Sequence, residues 1–174
     1  MTTTNWVIDA SHSEIQFKVK HLVITTVTGS FQEFSGAVES EDSFENAKIS
    51  FEANTGSINT NSEQRDAHLK SGDFFDTEKF PKLSFQGTRF SKKGDAFELV
   101  GDLTIKDVTK SVTLAVEFGG IATDPWGNIK AGFEVTGKIN RKDFGLTWNA
   151  PTEAGGVLVS DEVKLIANVQ LLKQ

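Results

Sequence analysis

Period-two alternation of apolar and polar residues runs through most of this chain, and it constrains the fold more than any other feature. The stretch SEIQFKVKH places Ile15, Phe17 and Val19 on one face and Glu14, Gln16, Lys18 and Lys20 on the other. NAKISFEAN sets Ala47, Ile49, Phe51 and Ala53 against Lys48, Ser50, Glu52 and Asn54. Leu83 and Phe85 alternate with Ser84 and Gln86. Further on, Phe97, Leu99, Gly101, Leu103 and Ile105 share a face, as do Val112, Leu114, Val116 and Phe118. Ala131, Phe133, Val135, Gly137 and Ile139 form another such set, and Val163, Leu165, Ala167, Val169 and Leu171 the last. Successive side chains of a strand point to opposite faces, so these runs read as half-buried antiparallel strands. With WVID at Trp6–Asp9 and the stretch from Phe34 to Val38, about nine strands are expected.

Short turns link them. Lys93-Gly94-Asp95 and Asp124-Pro125-Trp126-Gly127-Asn128 each separate two runs. Consecutive strands joined this way form an up-and-down meander, and an apolar face that repeats throughout favours closure into a barrel. One segment departs from the pattern. Asn61 can cap a helix over Ser62 to Lys70, with Gly72 to end it; Ala67 and Leu69 are its apolar residues. The expected fold is therefore all-β with one short helix, an antiparallel barrel of about eight to nine strands, in a single domain spanning 1–174. Glycines within strand runs, among them Gly29, Gly36, Gly87, Gly101, Gly132 and Gly137, serve closure of the sheet or leave space for a ligand.

Composition removes whole classes of function. There is no Cys, hence no disulfide, thiolate metal site or cysteine nucleophile. The net charge is −6 and no run of Lys or Arg exceeds two residues, which argues against nucleic acid as a partner. No stretch is long and apolar enough to span a membrane as a helix. Met1-Thr2-Thr3-Thr4-Asn5-Trp6 has neither the basic nor the apolar region of a signal peptide, so a cytoplasmic location is expected. Phe occurs 14 times and Tyr not at all. Aromatic bulk without hydroxyls suits a dry interior, either a packed core or a cavity for hydrocarbon.

Residues able to carry chemistry are sparse. His12, His21 and His68 have no metal-ligand spacing, so no metal and no cofactor are expected. His12, in DASHS, fits local hydrogen bonding. His21 ends an alternating strand on the face of Phe17 and Val19, as a barrel-end residue or a contact for a ligand head group. His68 follows Arg65 by three residues and shares its helix face. There is no GxSxG elbow and no glycine-rich phosphate loop. An enzyme is not expected, and no catalytic residue is assigned.

Four stretches carry a family resemblance: Trp6 to Gly36, Arg65 to Gln86, Gly101 to Phe118 and Gly127 to Trp148. The second is the most distinctive, with its R-x-x-H-L and D-F-F-x-x-x-x-F-P pattern. Together they resemble the YceI-like family over about Trp6 to Leu171. That resemblance implies a lipocalin-like barrel that holds a polyisoprenoid or another long-chain amphiphile, often as a homodimer. Many such proteins are periplasmic; the absent signal sequence departs from that.

The function this implies is non-enzymatic binding of a long-chain isoprenoid or similar lipid inside the barrel, as carrier, reservoir or sensor. Burial of hydrocarbon stabilises by about 0.8 kcal/mol per methylene, so such a chain needs no specific polar contact. The expected lining is Ile15, Phe17, Val19, Ile49, Phe51, Phe85, Phe97, Leu99, Leu103, Leu114, Phe118, Phe133 and Val135. The expected head-group contacts are Arg65, His68 and His21, with Arg141 behind them. Arg65 and Arg141 also fit structural ion pairs with Asp66 and Asp143. Asp73, Phe74 and Phe75 would anchor the exit of the helix, and Trp148 would cover an opening or pack there. Two alternatives stand: an enzyme using the same cavity on an isoprenoid or fatty derivative with His21 or His68 as acid–base, and a filled barrel that binds another protein.

Overall fold

The computed structural model describes residues 3–41, 44–149 and 158–174. The strands are β1 (Thr4–Ile8), β2 (Glu14–His21), β3 (Thr25–Phe31), β4 (Phe34–Ser40), β5 (Lys48–Asn54), β6 (Ile58–Asn59), β7 (Lys82–Lys93), β8 (Ala96–Ile105), β9 (Val108–Thr123), β10 (Ile129–Asn140) and β11 (Val159–Lys173). The helix α1 spans Glu63–Lys70. All eleven strands belong to one antiparallel sheet. Eight of them, in the order β1-β4-β5-β7-β8-β9-β10-β11, close on themselves through the β1–β11 pairing. The barrel expected from the alternation is the fold observed, and β7 through β11 form its meander.

Two strands lie outside the periodic runs read above: β3, whose Thr-rich TTVTGSF hides its alternation, and the two-residue β6. They account for the flared end of the barrel. β11 pairs with two partners in turn. Its final residues meet β1, as in Ile8↔Leu171, and its earlier residues meet β2, from Ile15↔Ala167 to Val19↔Val163. A 3-10 turn at Ala10–His12 carries the chain between the two. Where β1 pairs with β4 the ring is shut; where β2 pairs with β3, and β3 with β6, the wall opens outward.

Large inward side chains lie across glycines of neighbouring strands. Phe17 faces Gly29 in the β2–β3 register, and a Cβ at Gly29 would collide with the Phe17 ring. Gly101, diagonal to Phe85 across β7 and β8, would likewise drive a Cβ into the Phe85 ring. These glycines supply close approach, and the rings they admit lie flat against the wall.

The helix starts one residue later than Asn61 would set it. Ser62 is the cap, its Oγ accepting from the Arg65 amide at 3.3 Å, while Asn61 sits at φ 64°. Ser71, in extended conformation, ends the helix ahead of Gly72. No residue of α1 is fully buried. The helix is tied down by polar bonds to the β6 exit: Asp66 accepts from the Thr60 amide and hydroxyl at 2.8 and 2.6 Å.

Candidate functional site

The barrel encloses a cavity of about 430 Å³ with an almost wholly apolar lining. Its wall follows from the register. Phe51, Phe85 and Leu103 face inward on adjacent strands, as do Leu99 with Leu114 and Val135 with Ala167 and Ile15. Of the residues named from sequence, Ile15, Phe17, Val19, His21, Ile49, Phe51, Arg65, His68, Phe85, Leu99, Leu103, Leu114, Phe133 and Val135 line it.

Phe97 and Phe118 do not. Phe97 stacks on Phe90 at 4.7 Å between centroids, so Phe90 holds the lumen side and Phe97 lies behind it. Phe118 precedes a register shift opposite Gly132 and Phe133 and is 40% exposed at the barrel rim. Alternation assigns a face; it does not locate where the barrel ends.

One end is plugged. Phe44, in a left-handed conformation with φ 62°, sits among Trp6, Phe118 and Phe133 with centroids 5.2 to 5.6 Å apart. The other end is roofed by aromatic rings from irregular segments. His68 meets the edges of Trp148 at 4.7 Å and Phe74 at 5.2 Å, and His68 Nε2 lies 2.9 Å from an Asp73 carboxylate oxygen. Phe74 and Phe75 are buried beneath α1, and Phe75 meets Phe31 edge-on. Phe44, Phe74, Phe75 and Trp148 all line the cavity and none belongs to a periodic run, so hydropathy patterning offered no sign of a lining role.

The two arginines are both engaged with the protein itself. Arg65 donates from Nε to the Thr60 hydroxyl at 2.8 Å and from Nη2 to the Thr60 carbonyl at 2.6 Å. Arg141 is 3% exposed and donates to four carbonyls, of Leu146 (2.6 Å), Trp148 (2.8 Å), Ser160 (2.9 Å) and Val159 (3.3 Å). Burial pushes its pKa below the ordinary arginine value, against the pull of the Asp161 carboxylate 3.7 Å away. The expected partners Asp66 and Asp143 are thus replaced by Thr60 and by backbone carbonyls with Asp161. Arg141 clamps the segments that carry Trp148 and Val159, both at the roofed end. Asn149 adds to the clamp, accepting from the Leu158 and Val159 amides at 3.1 Å each.

His21 differs from the arginines. It pairs with Val159 at the flared end and lines the cavity, and its ring has no hydrogen-bond partner among the described residues. Lys20, whose side chain belongs to the exposed outer face of β2, borders the same end, so the cavity reaches the surface beside the β2 terminus. Among the described residues no cluster of His, Asp and Glu could hold a metal ion, and no helix is long and apolar enough to cross a membrane. His12 bonds Asp9 at 2.8 Å and is not among the residues that line the cavity.

A family model for the YceI-like domain matches residues 6–171. A UPF0312 protein of Staphylococcus aureus strain N315 is 41% identical over 169 residues, covering 96% of both chains. The crystal structure of a Campylobacter jejuni YCEI protein superposes with a TM-score of 0.76 at 31% identity, covering 90% of this chain and 91% of that one. A polyisoprenoid-binding domain from Saccharophagus degradans shares the fold at a TM-score of 0.66 and 14% identity, covering 97% and 98%.

Proposed function

The chain belongs to the YceI-like family, and from that premise we propose that it binds a long-chain isoprenoid or similar amphiphilic lipid in the barrel, without transforming it. The cavity carries this reading: about 430 Å³ walled by aliphatic and aromatic side chains, plugged at one end and reaching the surface at the other. A dry apolar enclosure of this kind gains free energy from each methylene it takes from water, about 0.8 kcal/mol. The polyisoprenoid-binding domain with the same fold fits this reading.

The polar rim supports a division of labour. Arg65 and Arg141 hold the roof in place, Arg65 through two bonds to Thr60 and Arg141 through four to carbonyls. His21 is left to meet the polar end of the ligand, with His68 beside the roof. The hydrocarbon runs inward past Phe17 and Val19 toward Phe85, Leu103 and Val135. Delivery, storage and sensing all use this one binding step.

Native mass spectrometry of the purified protein, with organic extraction of whatever is bound, tests the proposal. A stoichiometric long-chain lipid is the expected result. The variant Val135→Trp, which fills the lumen, should lose it while keeping the barrel's circular dichroism. A bare protein that also refuses added polyprenol and fatty alcohol would overturn the reading.

A further inference from the structure

The turn between β2 and β3 is built from the wrong residues for its shape. The Ile24 amide donates to the His21 carbonyl at 3.3 Å, and both central residues are left-handed, Leu22 at φ 54° and Val23 at φ 65°. Positive φ at both positions marks the mirror-image hairpin turn that Asn-Gly adopts without strain. A β-branched residue there is a genuine outlier. The strain also presents apolar surface to water: Leu22 is 39% exposed, Val23 70% and Ile24 79%.

The flank of this tip is basic. On the outer face, Lys18 pairs with Lys164, and Lys164 with Lys138, across β2, β11 and β10; Lys20 stands two residues from Lys18 on the same face. Lys18, Lys20 and Lys164 have no carboxylate partner among the described residues, and Lys138 lies 3.8 Å from Glu162. Such a row is notable in a chain of net charge −6.

We propose that the tip Leu22–Val23–Ile24 is a docking finger for an anionic lipid surface, entering the headgroup region while the lysine row engages the lipid charge. An apolar side-chain cluster flanked by Lys is the pattern that binds at a membrane interface. The finger continues directly from His21 at the open end of the cavity, and its Leu22 amide is bonded to the carbonyl of Leu158, another lining residue, at 2.9 Å. Docking therefore puts the cavity's opening against the bilayer, where a lipid can enter without crossing water. A second copy of the chain is the poorer occupant: a stable dimer needs roughly 800 Å² from each partner, and three aliphatic side chains cannot supply it. The proposal goes beyond lipid storage in the cavity and stands on the tip and the lysines alone.

Flotation with phosphatidylcholine vesicles, with and without phosphatidylglycerol, tests it. The protein should float with the anionic vesicles. The double variant Leu22→Asn, Val23→Gly keeps the turn and relieves its strain, so its urea midpoint should hold or rise while vesicle affinity falls at least about tenfold. Each of Lys18→Gln, Lys20→Gln and Lys164→Gln should weaken binding to anionic vesicles about fivefold. Retained lipid uptake by the tip variant in the native mass spectrum separates loss of docking from loss of the cavity. The proposal is overturned if the protein floats with neither vesicle, or if the tip variant floats as well as the parent. It is also overturned if the protein, without floating, forms a dimer that the tip variant dissolves.

Discussion

At Gly101 the absent Cβ is the space in which the Phe85 ring lies. Gly101→Ala should destabilise the barrel by about 1–3 kcal/mol, read as a lower urea midpoint, because the ring must leave its rotamer or the strands must part. Adding Phe85→Leu, which removes the colliding atoms, should recover part of that loss. Arg141 behaves differently, since its worth lies in four carbonyls, of which Val159's also accepts from Asn149 Nδ2 at 2.8 Å. Arg141→Leu should cost about 3 kcal/mol or more, the cost of leaving buried acceptors bare. Arg141→Lys should restore little, because an ammonium cannot span the same fork of acceptors. Denaturant unfolding of both variants checks this.

At the scale of elements, the start of β10 is fastened to the turn after β1 by one carboxylate. Asp9 accepts from the Ser11 hydroxyl at 2.7 Å and from Lys130 Nζ at 2.9 Å, and His12 Nδ1 lies 2.8 Å away. These contacts, Ser11 foremost and then Lys130 and His12, hold the Asp9 carboxyl well below the usual carboxylate range. A carboxyl depressed in the folded state stabilises at pH values above its unfolded pKa of about 3.9, and that contribution fades as the pH falls further. The stability gap between the parent and Asp9→Asn should therefore be full at neutral pH and narrow below about pH 4, as measured by urea unfolding across that range.

Elements also show where the sequence was legible. Strands with one buried face announced themselves, because a pleated ribbon must alternate to bury that face. β3 did not, as Val27 and Phe31 are its only large apolar side chains and Gly29 falls between them. The partner switch of β11 between β1 and β2 is a long-range pairing that no local window contains. The site followed the same division. Wall residues such as Phe51, Leu103 and Val135 were readable from alternation, whereas the plug Phe44 and the roof residues Phe74 and Trp148 come from irregular segments. Phe97 and Phe118 were misplaced because alternation says neither which inward residue has another ring in front of it, as Phe97 has, nor where the barrel ends, as it does at Phe118.

At the scale of the molecule, a cavity that stays open in the fold makes stability depend on its occupant. A ligand present at a hundred times its Kd adds about 2.7 kcal/mol to the free energy of unfolding. For a chain of this size, that corresponds to a rise in Tm of roughly 5–10 °C. Protein stripped of lipid and then reloaded should show such a shift by differential scanning calorimetry, and Val135→Trp should melt at one temperature regardless of added lipid.

The β1–β11 pairing also sets a timetable. Trp6 lies opposite Lys173, so the seam that turns the sheet into a tube joins residues at far ends of the described chain. β1 is synthesised long before the strand that completes it, and until then β4 can occupy only one of its edges. Closing so distant a contact is the slow event in a fold of this topology. During that wait the nascent chain exposes an unpaired edge beside a hydrophobic trough. The interval between translating β10 and sealing the tube is when this protein most needs a chaperone, and when a lipid could enter before any mouth exists.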